Sequence, residues 1–148
     1  MTHPEKAEAL FRQGFNCAQS VFLAFEDLYD LDRETALKLS SPFGAGFGLL
    51  REVCGVVSGM CMVLGLLEGY ADPADAEDKK ALYAAVQELV GALERDRGTI
   101  LCRELLHLRK GETLAEPAVR DESYYASRPC LGLCAQAARL LDEHLAEK

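Results

Sequence analysis

From Val53 to Leu67 the chain is apolar on every side of a helical wheel, interrupted only by glycines and Ser58. A helix without a polar face must be wrapped by other elements. At about 15 residues the run falls short of the roughly 20 that a membrane-spanning helix requires. The expectation is therefore a buried central helix, starting at Cys54 and running to about Gly69, inside a globular domain with no membrane insertion. Gly55 and Gly59, four residues apart, leave room for a neighbouring helix to lie close against it.

The rest of the chain points the same way. Leu occurs 24 times and Ala 20 times, against 13 Val, Ile and Thr together, a balance that favours helices over strands. No alternating apolar stretch is bounded by hairpin turns, and no linker or repeat divides the 148 residues, so the reading is all-α: a single-domain bundle of about six to seven helices over residues 1–148.

Capping signals place the elements. Thr2 and Pro4 open a short helix that ends by Gly14. Asn16 caps a second, running to about Tyr29 with Cys17, Val21, Ala24, Phe25 and Leu28 on one face. Asp32 to Leu39 forms a third, stopped by Pro42. Phe43 to Gly48 carries three alternating glycines and reads as backbone approaching the residues around Cys54 closely. Asp72-Pro73 opens a long helix with a Leu82, Val86, Leu89, Val90 and Leu93 stripe, ending near Gly98. Thr99 caps a shorter one to about Leu108, and Lys110 to Ser123 reads as a polar surface connection. Ser127 and Pro129 open the last, with Leu131, Cys134, Ala138, Leu141 and Leu145 inward.

A formal net charge of −8 argues against nucleic acid and anionic membranes as partners. The N-terminus shows no basic segment followed by an apolar run, so a cytoplasmic location is expected. In a reducing compartment the six cysteines suggest metal binding or redox chemistry rather than structural disulfides.

Four of the six fall at expected helix starts: Cys17 after Asn16, Cys54 after the glycine loop, Cys102 three past Thr99 and Cys130 three past Ser127. The unpaired N–H groups and partial positive charge of a helix N-terminus favour the thiolate, the form that binds metals and attacks disulfides. Cys61 and Cys134 lie deeper in their helices and read as packing residues, Cys134 being the possible substitute in a site. No Cys-x-x-Cys occurs. His3 and His144, near the termini, are expected to be solvated, and His107 to lie at the surface.

The segments Gly14-Phe15-Asn16-Cys17-Ala18-Gln19, Cys54-Gly55-Val56-Val57-Ser58-Gly59, Cys102-Arg103-Glu104-Leu105 and Cys130 together resemble the C_GCAxxG_C_C family of redox-active proteins, across nearly the whole chain. Val56 stands where that family has alanine. The resemblance implies that Cys17, Cys54, Cys102 and Cys130 are the family's four cysteines and that the chemistry is redox.

Three chemistries are compatible with this set. In the first, the four thiolates converge on an iron-sulfur cluster, with [2Fe-2S] expected because the ligands are dispersed, serving electron transfer or redox sensing with an unidentified redox partner protein. The second is a metal-free thiol–disulfide oxidoreductase with Cys54 as the attacking thiolate. The third is a structural zinc bound by four thiolates. A homodimer is compatible with the small-residue helix faces.

Overall fold

A computed structural model describes residues 1–109, 111–112 and 119–148. Among these it contains eight right-handed helices and no strand: α1 (His3–Arg12), α2 (Cys17–Ala24), α3 (Arg33–Ser40), α4 (Gly55–Glu68), α5 (Ala76–Arg97), α6 (Cys102–Leu105), α7 (Glu122–Ser127) and α8 (Cys130–Ala146). The all-α class expected from composition is the one observed. Of the expected polar connection, Lys110 and residues 113–118 lie outside the described residues.

Local chemistry starts most of these helices. Thr2 and Glu5 exchange bonds in a capping box at α1, and Asn16 and Gln19 do the same at α2, satisfying two otherwise orphaned N–H groups at each helix start. Asp32 caps α3 by accepting from the Thr35 N–H. Several boundaries differ from the expected ones. The second helix ends at Ala24 and tightens into a 3-10 turn over Glu26–Leu28, which leaves Leu28 exposed. The long helix is capped by Asp75 rather than Asp72. The helix expected from Thr99 to Leu108 is the single turn α6, because His107 turns to a φ of 57°.

The α4 helix occupies the centre, packed by α2, α5 and α8. A Cβ built on Gly59 would lie 2.8 Å from the Ala18 carbonyl oxygen and 3.0 Å from the Val21 Cβ. The two helices touch backbone to backbone there, a distance that no larger residue allows. Phe11, Phe22, Phe25, Met60, Leu64, Leu93, Leu133 and Leu141 fill the core between them. At roughly 1.5 to 3 kcal/mol for each buried large side chain, this layer dominates stability. Among the described residues no helix is long and apolar enough to cross a membrane.

Two expected surface histidines are instead structural. His3 stacks on Phe25 at 4.1 Å between centroids, with Nδ1 2.6 Å from Asp142 and Nε2 3.0 Å from Asp27. His144 is buried, its Nε2 2.9 Å from Glu68 at the end of α4. Both tie chain ends to the bundle, which is why proximity to a terminus does not leave them in solvent. His107 is exposed, as expected.

Candidate functional site

The segment between α3 and α4 has the most unusual backbone among the described residues. Gly44–Phe47 closes one helical turn through the Gly48 N–H to the Gly44 carbonyl at 2.9 Å. Its dihedrals are left-handed: Ala45 and Gly46 have φ of 57° and 63°, Phe47 has 67° and Gly48 has 53°. Leu49 and Arg51 follow at 75° and 57°. Four of these six are not glycine, and each such residue costs roughly 1 to 2 kcal/mol. Bonds from the Arg51 and Glu52 N–H groups back to the Ala45 and Gly46 carbonyls, at 3.2 and 3.0 Å, hold the shape. Strain maintained in this way is characteristic of functional sites.

This turn is stitched to two of the predicted cysteines. Val53 and Leu101 form an isolated antiparallel bridge. Through it the Cys54 N–H bonds the Ile100 carbonyl at 2.8 Å and the Cys102 N–H bonds the Glu52 carbonyl at 2.6 Å. Arg103 secures the same crossing, reaching the Leu50 carbonyl at 2.8 Å and Glu52 Oε1 at 2.9 Å. The base of α4 and the start of α6 are thereby held as one unit.

The four helix-start cysteines, Cys17, Cys54, Cys102 and Cys130, all line one cavity of about 410 Å³. Cys17, Cys102 and Cys130 each occupy the first position of a helix, and Cys54 is the residue immediately before α4. Cys134 is fully buried within α8 and Cys61 is half-buried along α4, and neither lines the cavity. Phe11, Tyr124, Leu105 and Leu133 form apolar wall.

The thiols differ sharply in acidity. The neighbouring Cys54 thiol and the backbone N–H groups of Ala45, Cys17 and Ala18 hold the Cys17 pKa down at about 6 against the opposing effect of burial. Cys54 is pushed well above the ordinary thiol range, because its proton is held by Cys17 and because it is buried. The direction follows from the surroundings: three backbone N–H groups favour the Cys17 anion, whereas Cys54 is favoured by that of Val56 alone. These surroundings favour the charge on Cys17, whereas the expectation from the sequence is Cys54 as the attacking thiolate. Burial raises Cys102 despite a bond from Arg51 Nη1 to its sulfur at 3.6 Å, and pushes Cys130 up to about 12.

Three arginines line the same cavity and did not stand out in the sequence. Arg51 is only 2% exposed, so its charge acts in the interior. Arg120 Nη1 donates to the Phe11 and Phe15 carbonyls at 2.6 and 3.1 Å, and its guanidinium lies 4.3 Å from the Phe11 ring centroid. Arg128 lies 4.5 Å from the Tyr124 ring centroid. The available signal was their position, Arg51 three residues before Cys54 and Arg128 two before Cys130. No Asp or Glu is among the described residues lining the cavity.

Among the described residues no group of three or more His, Cys, Asp or Glu is placed to hold a metal ion. A tetrahedral zinc site, expected as one alternative, places each sulfur about 2.3 Å from the metal; the four cysteines share the cavity wall and would have to close inward to form it.

These features define a helical protein built around a cysteine-lined cavity, with the Cys17 pKa held below the ordinary thiol range. The chain belongs to the family described as "Putative redox-active protein (C_GCAxxG_C_C)", whose model matches residues 15–144. No protein of curated function and no solved structure matches it.

Proposed function

We propose that the protein is a thiol–disulfide oxidoreductase in which Cys17 attacks and Cys54 resolves. The observation that carries this reading is the placement of Cys17 and Cys54 on the wall of one cavity, where the backbone of Gly55, next to Cys54, lies so close that a Cβ there would be 2.9 Å from the Cys17 sulfur. A thiolate attacks a disulfide sulfur through a mixed-disulfide intermediate, and a pKa near or below ambient pH keeps the attacking thiol ionised.

The electrons balance as follows. The Cys17 thiolate attacks one sulfur of a disulfide RS–SR; the bond between Cys17 and that sulfur forms as the S–S bond breaks, and RS⁻ departs. The Cys54 proton passes to the departing thiolate, and the Cys54 sulfur attacks Cys17, expelling the second RS⁻. The substrate gains two electrons and the protein pair becomes a disulfide, which an external dithiol reductant returns to its starting state. Cys54 shares the cavity wall with Cys17, so the second step is intramolecular.

The second reading is a [2Fe-2S] cluster, and it is favoured by the presence of all four cysteines on one cavity wall. The donor chemistry suits iron, but the sulfurs must close inward from their positions here. Anaerobically purified protein separates the two readings. The thiol enzyme is colourless, carries no stoichiometric iron or acid-labile sulfide, and loses two thiols per chain on exposure to a disulfide, with Cys17 and Cys54 found joined by mass spectrometry. Brown protein containing iron and sulfide in equal amounts establishes the cluster instead.

A further inference from the structure

We infer, on the thiol–disulfide reading of this site, that Asn16 and Gln19 are positioning residues for Cys17: the spare amide N–H groups of their capping box clamp the start of α2 to the end of α3 and hold the left-handed turn against the sulfur. The box at α1 shows what capping alone requires, since Thr2 and Glu5 perform it with a hydroxyl and a carboxylate. At α2 the same two positions are amides. Asn16 Oδ1 accepts from the Gln19 N–H at 2.9 Å and Gln19 Oε1 accepts from the Asn16 N–H at 3.0 Å, which completes the box. Each side chain then has an NH2 group left over, and both are spent on the same neighbour. Asn16 Nδ2 donates to the Ser41 carbonyl at 3.0 Å and Gln19 Nε2 to the Leu37 carbonyl at 3.1 Å. A carboxylate has no proton to give to Leu37, and a serine hydroxyl at the cap is one atom too short for Ser41.

The clamp governs the approach to the sulfur. Leu37 lies in the last turn of α3 and Ser41 opens the 3-10 turn Ser41–Phe43, from which the chain enters the left-handed turn at Gly44. Gly44 lies against the clamp itself: a Cβ there would be 2.4 Å from both Asn16 Cγ and Asn16 Nδ2. Its φ of −68° is open to any residue, so glycine is required at this position by the contact rather than by the backbone. One residue further on, the Ala45 N–H is among the groups that favour the Cys17 thiolate. From the other side, a Cβ built on Gly55 would be 2.9 Å from Cys17 Sγ and 3.0 Å from the Phe43 carbonyl oxygen. Cys17 and the segment entering the turn thus converge on the backbone of Gly55, and the two amides fix the distance between them.

Asn16→Ser keeps a capping oxygen and adds no charge, but it removes the N–H that reaches Ser41. Gly44→Ala drives the same contact apart from the opposite side. Thr2→Ala opens the capping box of α1 and serves as the control for a general loss of stability. In the full chain, single-turnover oxidation of Cys17 by bis(2-hydroxyethyl) disulfide gives the rate, and alkylation of the Cys17 peptide by iodoacetamide across pH gives a midpoint. Asn16→Ser and Gly44→Ala should each slow oxidation about tenfold, as expected when a reacting group is misplaced, and should move the midpoint upward as the Ala45 N–H withdraws from the anion. Asn16→Ser should do so with the far-ultraviolet circular dichroism of the wild type. The double variant Asn16→Ser, Gln19→Glu rebuilds the hydroxyl–carboxylate box of α1 without either clamp bond and should show the larger loss. Wild-type rate and midpoint in Asn16→Ser and Gly44→Ala, or equal changes in Thr2→Ala, overturn the clamp while leaving the thiol chemistry intact.

Failure of the wild-type chain to react with the disulfide refutes the thiol–disulfide reading instead. The alkylation midpoints then decide the clamp by themselves. Displacement in Asn16→Ser and Gly44→Ala but not in Thr2→Ala supports it, and a midpoint common to all of these proteins overturns it.

Discussion

Gly46 lies directly beneath Cys102: a Cβ built on Gly46 would be 2.8 Å from the Cys102 Cβ and 2.7 Å from the Glu52 nitrogen. Both neighbours are fixed, one by the bridge to the α6 start and the other by its bond to the Gly46 carbonyl. Gly46→Ala therefore forces the left-handed turn away from Cys102, at a φ of 63° that alanine itself resists. A loss of about 2 to 4 kcal/mol in urea denaturation is expected, together with a rise in the Cys17 pKa as the Ala45 N–H withdraws.

Ala45, next in the same turn, gives the opposite expectation. At φ 57° it bears the steric cost of a left-handed residue, roughly 1 to 2 kcal/mol. Glycine removes that cost but gives up about 0.4 to 1 kcal/mol through the greater entropy of the unfolded chain. Ala45→Gly should leave stability unchanged or raise it by up to about 1.5 kcal/mol and preserve Cys17 reactivity. Measured unfolding midpoints for the two variants separate a requirement for glycine's shape at position 46 from general intolerance of change in the turn.

The unequal sharing of the Cys54 proton sets a pH dependence. With the Cys17 pKa held down at about 6, its alkylation by iodoacetamide should rise through pH 6 and be nearly flat by pH 8. An ordinary thiol is still rising there. Cys54→Ser keeps an O–H donor and should preserve much of the effect, whereas Cys54→Ala removes the donor and moves the inflection upward. The linkage has a definite sign. A depressed folded-state pKa adds stability in full above the unfolded pKa and loses it as pH falls from about 9 to 6, so between those values the Cys17 contribution to stability should grow with pH.

Much of this architecture is legible in local sequence because the relevant physics is local. The Thr2, Asn16 and Asp32 caps act within three residues of themselves, and Gly55 and Gly59 mark a close helix contact by the absence of a side chain. The alternation of glycines at 44, 46 and 48 signals unusual backbone but not its left-handed sense, since Ala45 and Phe47 share it against their own preference. Arg51 and His144 read as surface residues by type. Their burial depends on what distant segments bring to them, Cys102 in one case and Glu68 in the other, and periodicity carries no information about that. Likewise, helix-start positions single out four cysteines but do not say which one holds the negative charge. That depends on the Ala45 N–H, which arrives from another element.

The central packing yields a further expectation. Leu89 is 4% exposed on the inner face of α5, within the same core as Leu93 and the α4 side chains. Leu89→Asp places a carboxylate among apolar neighbours and should cost several kcal/mol. Leu82, half-buried about two turns away along the stripe, should tolerate the same substitution better. Circular dichroism during urea unfolding measures both.

Single Cys→Ser substitutions divide the six cysteines by position. Cys61 is half-buried along α4 and lies outside the cavity, its thiol raised by burial. Cys61→Ser should therefore keep full disulfide reactivity, with only the cost of burying a hydroxyl, about 1 to 3 kcal/mol. Cys17→Ser removes the attacking atom and should abolish the reaction. Cys54→Ser should halt it at the mixed disulfide, a species detectable by mass as one retained RS group per chain. Cys102 and Cys130 distinguish the two readings of the site. If the pair acts alone, serine at either position slows oxidation modestly and leaves the Cys17–Cys54 disulfide forming. If all four sulfurs hold iron, serine at either position removes iron and acid-labile sulfide together, because each loss leaves the metal with an incomplete thiolate set. Iron content, sulfide content and mixed-disulfide mass measured across the series place each of the six cysteines in one role.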